Sequence, residues 1–172
     1  NALKFTFDYN TWSAGGALIC ARRDASHAGS QNAALTTGGI SATANQVTCT
    51  EEYNGSSWSA GGDLPSISSC GVGHGTQNAA LARVGSGTST EYYKYDGSAW
   101  SQVADFNTGR CGMGGAGSQN AALIFGGSAN CTNTEAFNGT SWVVGGALIT
   151  GRGKGGSGGT VNAAIFFGGT SP

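Results

Sequence analysis

Apolar positions along the chain come in short bursts closed by Gly, Asn or Ser, a pattern that predicts short strands joined by tight turns. One full cycle is visible between Cys111 and Val144. Gly112 to Ser118 is a run of small residues, Ala121 to Phe125 is apolar and ends at Gly126-Gly127, Thr132 to Phe137 alternates, and Trp142 to Val144 follows a turn. No segment has the length and 3.6-residue spacing of a helix, so each cycle predicts four strands.

The cycle repeats. Trp12, Trp58, Trp100 and Trp142 are separated by 46, 42 and 42 residues, and Asn32, Asn78, Asn120 and Asn162 each follow their Trp by 20 residues and open Asn-Ala-Ala-Leu or Asn-Ala-Ala-Ile. The four extra residues in the first interval fall around Ala42 to Val47 and predict a longer loop there. Between the last two strands stand Asn54-Gly55, Asp96-Gly97 and Asn138-Gly139, pairs that tolerate the positive φ of a two-residue hairpin. Tyr9-Asn10-Thr11-Trp12 is read as a shortened form of the same corner. The chain thus divides into a single domain, 1–172, of four units: approximately 18–60, 61–102, 103–144, and 145–172 completed by 1–17.

Four-stranded units too small to bury their own faces pack either radially, as a propeller, or linearly, as a solenoid. The chain begins with the third and fourth strands of a unit (Leu3 to Tyr9, Trp12 to Ala14) and finishes with the first and second (Gly155 to Thr160, Ala163 to Phe167). Pairing those halves would complete a fourth blade and remove two open edges, which favours a ring. First strands such as His74-Gly75-Thr76, Gly114 to Ser118 and Gly155 to Gly159 have little side-chain volume, as close approach of backbones around an axis requires. The expected fold is therefore an all-β, four-bladed propeller of four-stranded antiparallel blades, closed by pairing of its N- and C-terminal strands. The alternative is half of an eight-bladed ring formed by two chains.

Composition narrows the partners. Charged residues make up 10% of the chain, with 8 basic and 9 acidic residues for a net charge of −1, which offers no electrostatic footprint for nucleic acid. No apolar run approaches the length of a membrane-spanning helix, so no membrane insertion is expected. The sequence opens on Asn1 without Met or a signal-like segment, as a processed form or a fragment would.

Several of these residues carry a resemblance. Apolar-Gly-Gly after the second strand (Gly38-Gly39, Gly126-Gly127, Gly168-Gly169), an aromatic-Asn/Asp-Gly corner, a Trp a few residues on, and Arg leading into the next unit (Arg22, Arg110, Arg152) resemble kelch repeats over nearly the whole chain. The second unit departs from the pattern, with Val84-Gly85-Ser86-Gly87 in place of the Gly pair and Ser68 in place of Arg. The wording Tyr-Asn-Gly-Ser-Ser-Trp-Ser-Ala-Gly-Gly followed by Gly-Thr-Gln-Asn-Ala-Ala-Leu is similar to propeller repeats of bacteriophage tail or virion-surface proteins and of environmental bacterial surface proteins.

Candidate ligand-binding residues are the repeated ones. Trp12, Trp58, Trp100 and Trp142 can stack on sugar rings, although packing between blades is the expected use of such large aromatic area, and the same holds for Tyr9, Tyr53, Tyr95 and Phe137. Arg22, Arg110 and Arg152 can grip a carboxylate or phosphate, with Glu51, Glu91 and Glu135 as a matching acidic ring, although recurrence in several units points to structural pairs. His27 and His74 stand one position out of register, and no metal site or cofactor is expected from them. Among five cysteines, Cys70 and Cys111 occupy nearly equivalent places on neighbouring first strands and permit a bridge, but buried free thiols are the expected state. No nucleophile motif with its base is present.

The expected function is a non-enzymatic structural, adhesion or binding module, displayed on a virion (tail or capsid) or another extracellular surface, presenting loops from a rigid ring. Its partners would be proteins of that assembly or cell-surface glycans, with a homo-oligomer as a further expectation. The second reading is a multivalent carbohydrate-binding lectin. The third is a glycosidase or lyase using loop carboxylates such as Asp24, Asp63 and Asp105.

Overall fold

The computed structural model describes residues 3–6, 11–128 and 131–170. Among them every regular element is a strand. The chain opens with a hairpin of β1 (Leu3–Thr6) and β2 (Thr11–Ala14). In the first full unit, β3 (Arg22–Arg23) precedes β4 (Ser26–Ser30) and β5 (Ala33–Thr37), and β6 (Ile40–Ser41) precedes β7 (Thr50–Tyr53) and β8 (Trp58–Ala60). The second unit contains β9 (Gly73–Thr76), β10 (Ala79–Arg83), β11 (Tyr92–Tyr95) and β12 (Trp100–Gln102). The third contains β13 (Gly114–Gly117), β14 (Ala122–Phe125), β15 (Thr134–Phe137) and β16 (Trp142–Val144). The chain ends in a hairpin of β17 (Gly156–Thr160) and β18 (Ala163–Phe167).

Each full unit is a four-stranded antiparallel sheet in chain order, β4-β5-β7-β8, β9-β10-β11-β12 and β13-β14-β15-β16. Inner strands contact one another in the sequence β4, β9, β13, β17, giving an all-β, multi-sheet, propeller-like architecture. The glycine content of these strands follows from that stacking. A Cβ at Gly71, which leads into β9, would overlap the backbone of Ala25 and Ser26, and one at Gly73 would meet the carbonyl of His27.

Three details differ from the sequence-based expectation. First, among the described residues β1–β2 and β17–β18 are separate two-stranded sheets, and no ladder joins the two in place of the expected pairing. The arc of inner strands brings β17 against β13, and among the described residues nothing lies within 4 Å of where a Cβ on Gly158 would stand. Second, the insertion in the first unit is not a plain loop, because β6 at its start pairs with β3 in a two-stranded ribbon beside the main sheet. Third, the hairpin corners are centred one residue later than expected. Asn54, Asp96 and Asn138 precede the turn and only Gly55, Gly97 and Gly139 have positive φ, at 94°, 96° and 96°. The Asn or Asp side chain instead caps the turn: Asn54 Oδ1 accepts from the amides of Ser56 and Ser57, both at 3.0 Å, and Asp96 and Asn138 repeat the arrangement. The opening corner at Tyr9 and Asn10 lies outside the described residues; β1 and β2 place Trp12 opposite Phe5.

The core lies between sheets rather than within them. Val72, Leu81, Tyr92, Phe106, Met113, Ile124, Phe137 and Trp142 form one cluster joining the second and third units, and Leu35, Ala80 and Tyr95 form another joining the first and second. The Asn-Ala-Ala strand supplies much of this apolar area in the full units, where Leu35 and Leu81 are 2% and 0% exposed, whereas the matching Ile165 in β18 is 61% exposed.

Candidate functional site

The repeated Arg residues fold inward. Arg22 Nε donates to Cys20 O (3.1 Å), its Nη1 to Gly38 O (3.1 Å) and Cys49 O (2.6 Å), and its Nη2 forms an ion pair with Glu51. Arg110 repeats the geometry 88 positions on, donating to Gly126 O (2.8 Å), Thr108 O (2.7 Å), Asn133 O (3.3 Å) and Glu135 (2.7 Å). Both side chains are 5% exposed or less, so neither guanidinium faces a ligand. Arg152, half-buried, donates to Gly168 O at 3.4 Å.

The acidic ring needs correction, because Glu91 does not occupy the place of Glu51 and Glu135. Counted from the Trp, that place in the second unit is Tyr93. The second unit rebuilds the buried cation from a different strand. With Ser68 at the usual Arg position, Arg83 of β10 points into the same region, fully buried, and donates to the carbonyls of Ser69 (2.9 Å), Gly85 (3.3 Å), Gly87 (2.9 Å) and Ser89 (3.0 and 3.3 Å). No carboxylate joins this cage among the contacts it makes, and burial pulls the guanidinium below its usual value. Sequence reasoning registered the missing Arg and missed its replacement.

Trp58, Trp100 and Trp142 fasten their units to the connectors that enter them from the preceding unit, and Trp100 also reaches that unit's Thr50. Trp58 Nε1 donates to Gly16 O (3.2 Å), Trp100 Nε1 to Gly62 O (3.1 Å) and Thr50 Oγ1 (3.0 Å), and Trp142 Nε1 to Ala104 O (3.0 Å). Their rings lie against Tyr53, Tyr95 and Phe137 with centroids 5.0, 4.9 and 5.1 Å apart. Trp12 differs in being 67% exposed. Tyr95 gives its hydroxyl proton to Glu52 (2.6 Å) and receives the amide of Gly62; burial first, then that bond to Glu52, pushes it up to about 12. The Tyr53 hydroxyl has no hydrogen-bond partner in the protein, so the aromatic ring rather than the hydroxyl is the shared requirement.

A second inter-unit link was overlooked in the sequence. Gln77 Nε2 donates to Ala34 O (3.0 Å) and Tyr53 O (2.8 Å) of the first unit, and Gln119 Nε2 to Ala80 O (3.2 Å) and Tyr95 O (2.6 Å) of the second. The available signal was a Gln directly before three of the four Asn-Ala-Ala motifs, at Gln31, Gln77 and Gln119.

Equivalent residues of all four units meet at one end of the inner strands. Asp24, Cys70, Gly112 and Lys154 each follow their Trp by 12 residues and share a left-handed backbone, with φ of 56°, 62°, 66° and 59°. They border a depression of about 540 Å3 whose walls include Gly71, Met113, Ser128 and Gly155. Neighbouring units are fastened here: Gly71 N donates to Asp24 O (3.0 Å), Lys154 N donates to Gly112 O (2.8 Å), and Cys70 is bridged to Cys111 with their Cα atoms 5.1 Å apart. The bridge corrects the expectation of free thiols at these two positions. Cys20, Cys49 and Cys131 remain as half-buried thiols.

The remaining candidate groups are engaged locally. Asp24 pairs with Arg23 (2.9 Å), Asp63 accepts from Thr50 N (3.4 Å), and Asp105 accepts from Thr90 (3.2 Å) and Gln102 (3.4 Å). His27 shares a hydrogen bond with Thr36 Oγ1 (3.3 Å), and burial, reinforced by Arg22, lowers its pKa. His74 is buried against Tyr92 and has no hydrogen-bond partner among the described residues at either ring nitrogen. Among the described residues, no three His, Cys, Asp or Glu side chains gather as metal ligands.

No protein-family model matches the chain, and no curated protein sequence matches it.

Proposed function

We propose that the chain is a non-enzymatic binding or adhesion module, displayed on a virion or another extracellular surface, whose kelch-like propeller holds exposed loops toward a protein or glycan partner. One observation carries this reading. The residues repeated most faithfully, Arg22, Arg110, Trp58, Trp100 and Trp142, have their polar groups committed to contacts inside and between units. Recurrence therefore serves the scaffold, and recognition falls to positions that vary. The first unit's insertion is the most distinctive of these: Ala42 to Asn45 are exposed beside a depression of about 260 Å3 bordered by Arg22, Arg23, Ile40 and Ser41.

Replacing residues 42–45 with a Gly-Ser turn is expected to abolish capture of the purified chain by arrayed surface glycans or intact bacterial cells while leaving its melting transition in place. Unchanged capture, or depolymerisation of an arrayed polysaccharide by the parent chain, would overturn the reading.

The finer architecture within this proposal is a four-bladed ring in which β18 takes β1 as its neighbour. Three features support it. β18 repeats β5, β10 and β14, each of which has a third strand along the corresponding edge. Large exposed apolar side chains gather at the two ends, Leu3, Trp12 and Ile19 at one and Val143, Val144, Ile149, Ile165 and Phe167 at the other. Asp24 and Lys154, the outermost members of the left-handed series, carry opposite charges. Native mass spectrometry is expected to return one chain, 17.1 kDa, per particle; a particle of twice that mass would replace the four-bladed ring with one built from two chains.

A further inference from the structure

We propose that Cys20 and Cys49 form a second disulfide, which staples the base of the first unit's extended connector to the segment leading into that unit. The Cys20 and Cys49 side chains stand close enough to interact electrostatically. Their backbones are already held together from both sides: Arg22 donates to Cys20 O (3.1 Å) and to Cys49 O (2.6 Å), and Glu51, two residues beyond Cys49, accepts from the amide of Cys20 (3.0 Å). A disulfide needs its two cysteines brought close with their side chains converging, and here the ion pair performs that preorganisation.

The pair is confined to the unit that gains most from it. At the matching positions the second unit has Ser66 and Glu91, and the third has Thr108 and Asn133, although Arg110 grips the backbones of Thr108 and Asn133 as Arg22 grips the two cysteines. Only the first unit carries the four-residue insertion between its second and third strands, and a longer connector costs more entropy to close. The oxidised Cys70–Cys111 pair shows that this fold accommodates a bridge between neighbouring chain segments.

Formation by exchange with a low-molecular-weight disulfide, such as oxidised glutathione, balances as follows. Cys20 loses its proton, its thiolate attacks one reagent sulfur, and one small thiolate leaves. Cys49 then loses its proton, its thiolate attacks the Cys20 sulfur, and the second small thiolate leaves. Two protein thiols are oxidised to one disulfide, the reagent disulfide is reduced to two thiols, and the two protons pass to the departing thiolates. Burial, opposed by Arg22, pushes the Cys49 thiol up and lowers its thiolate fraction, so the second step draws on the nearness of its target rather than on thiol acidity.

The test is alkylation of the full chain under denaturing, non-reducing conditions after incubation with oxidised glutathione, followed by intact-mass and peptide analysis. One alkylated cysteine, Cys131, and a peptide linked through Cys20 and Cys49 are expected. Three alkylated cysteines, a linkage through Cys131, or persistent glutathione adducts on Cys20 or Cys49 would overturn the proposal. The Cys20→Ser, Cys49→Ser double variant retains Cys70–Cys111 and supplies the unstapled reference. The oxidised parent is expected to melt on the order of 5 °C above it, and equal melting temperatures would remove the stapling role.

Discussion

Replacing Glu135 with Ala is expected to lower the free energy of unfolding by about 3–5 kcal/mol, the range for removing one partner of a buried ion pair. The carboxylate is 1% exposed and accepts from Arg110 (2.7 Å), from the amide and side chain of Asn107 (2.6 and 2.8 Å) and from the amide of Thr108 (3.3 Å). Burial alone would push its pKa up, but the bonds from Arg110 and Asn107 prevail and hold it below the usual carboxylate value. Without it, a guanidinium 5% exposed keeps its charge and three carbonyl acceptors but no counter-ion, and the segment 107–108 loses its anchor. Urea unfolding of Glu135→Ala beside an Arg110→Met, Glu135→Leu double variant separates stranded charge from lost packing. The double variant is expected to recover much of the loss, because apolar replacement leaves no charge unpaired. Equal destabilisation of the two would show that the pair's hydrogen bonds to the backbone, not its charge balance, hold the unit.

Acidification is expected to weaken the fold in two successive windows. His74 is 3% exposed, and burial pushes its pKa down from 6.5 to about 4. Between those values the unfolded chain binds a proton that the folded chain refuses. Stability is therefore full above about pH 6.5 and declines as the pH falls toward 4, by about 3 kcal/mol in all. Glu135 follows the same sign from a different cause: its folded pKa is depressed, so its contribution is present above the unfolded carboxylate value and is lost as the pH falls through the folded one. Chemical denaturation across pH 3–8 should show both declines, and His74→Phe should shrink the upper window only, leaving the part that His27, lowered by burial and Arg22, adds with the same sign. A slope unchanged in that variant would assign the upper window to another group.

The features legible in the sequence were those imposed by local geometry and repeated without exception. The interval of 20 residues from each Trp to its Asn sets a strand register, and the small residues of the first strands follow from backbones stacked face to face, as Gly71 and Gly73 show. What escaped the sequence depends on which carbonyl lies beside which side chain. Arg83 replaces an Arg that stands 15 positions earlier in its neighbours' pattern, and no periodicity reveals that a guanidinium arriving from another strand finds its own set of loop carbonyls. Glu91 was grouped with Glu51 and Glu135 by residue type, although its offset from Trp100 differs by two residues. The hairpin corners were misplaced by one residue because Asn-Gly suits two turn geometries, and the choice rests on where Asn54 Oδ1 finds its amides. For the candidate site, sequence reasoning named Arg22, Arg110, Arg152 and the four Trp residues and favoured their structural use. It left open where they face, which burial decides.

The three buried cations have a consequence for how such arrays change length. Arg22 draws its acceptors from residues 20–51, Arg83 from 69–89 and Arg110 from 108–135, so each guanidinium is satisfied wholly inside its own unit. What crosses from unit to unit is mostly indole and amide donors, of Trp58, Trp100, Gln77 and Gln119, joined by the Tyr95–Glu52 and Lys94–Asn120 hydrogen bonds and the Cys70–Cys111 bridge. A recombination event that adds or deletes a whole unit consequently carries each buried guanidinium along with its own acceptors, whereas a crossover falling between Ser68 and Arg83 would leave a descendant with both guanidinium groups in one unit, or with neither.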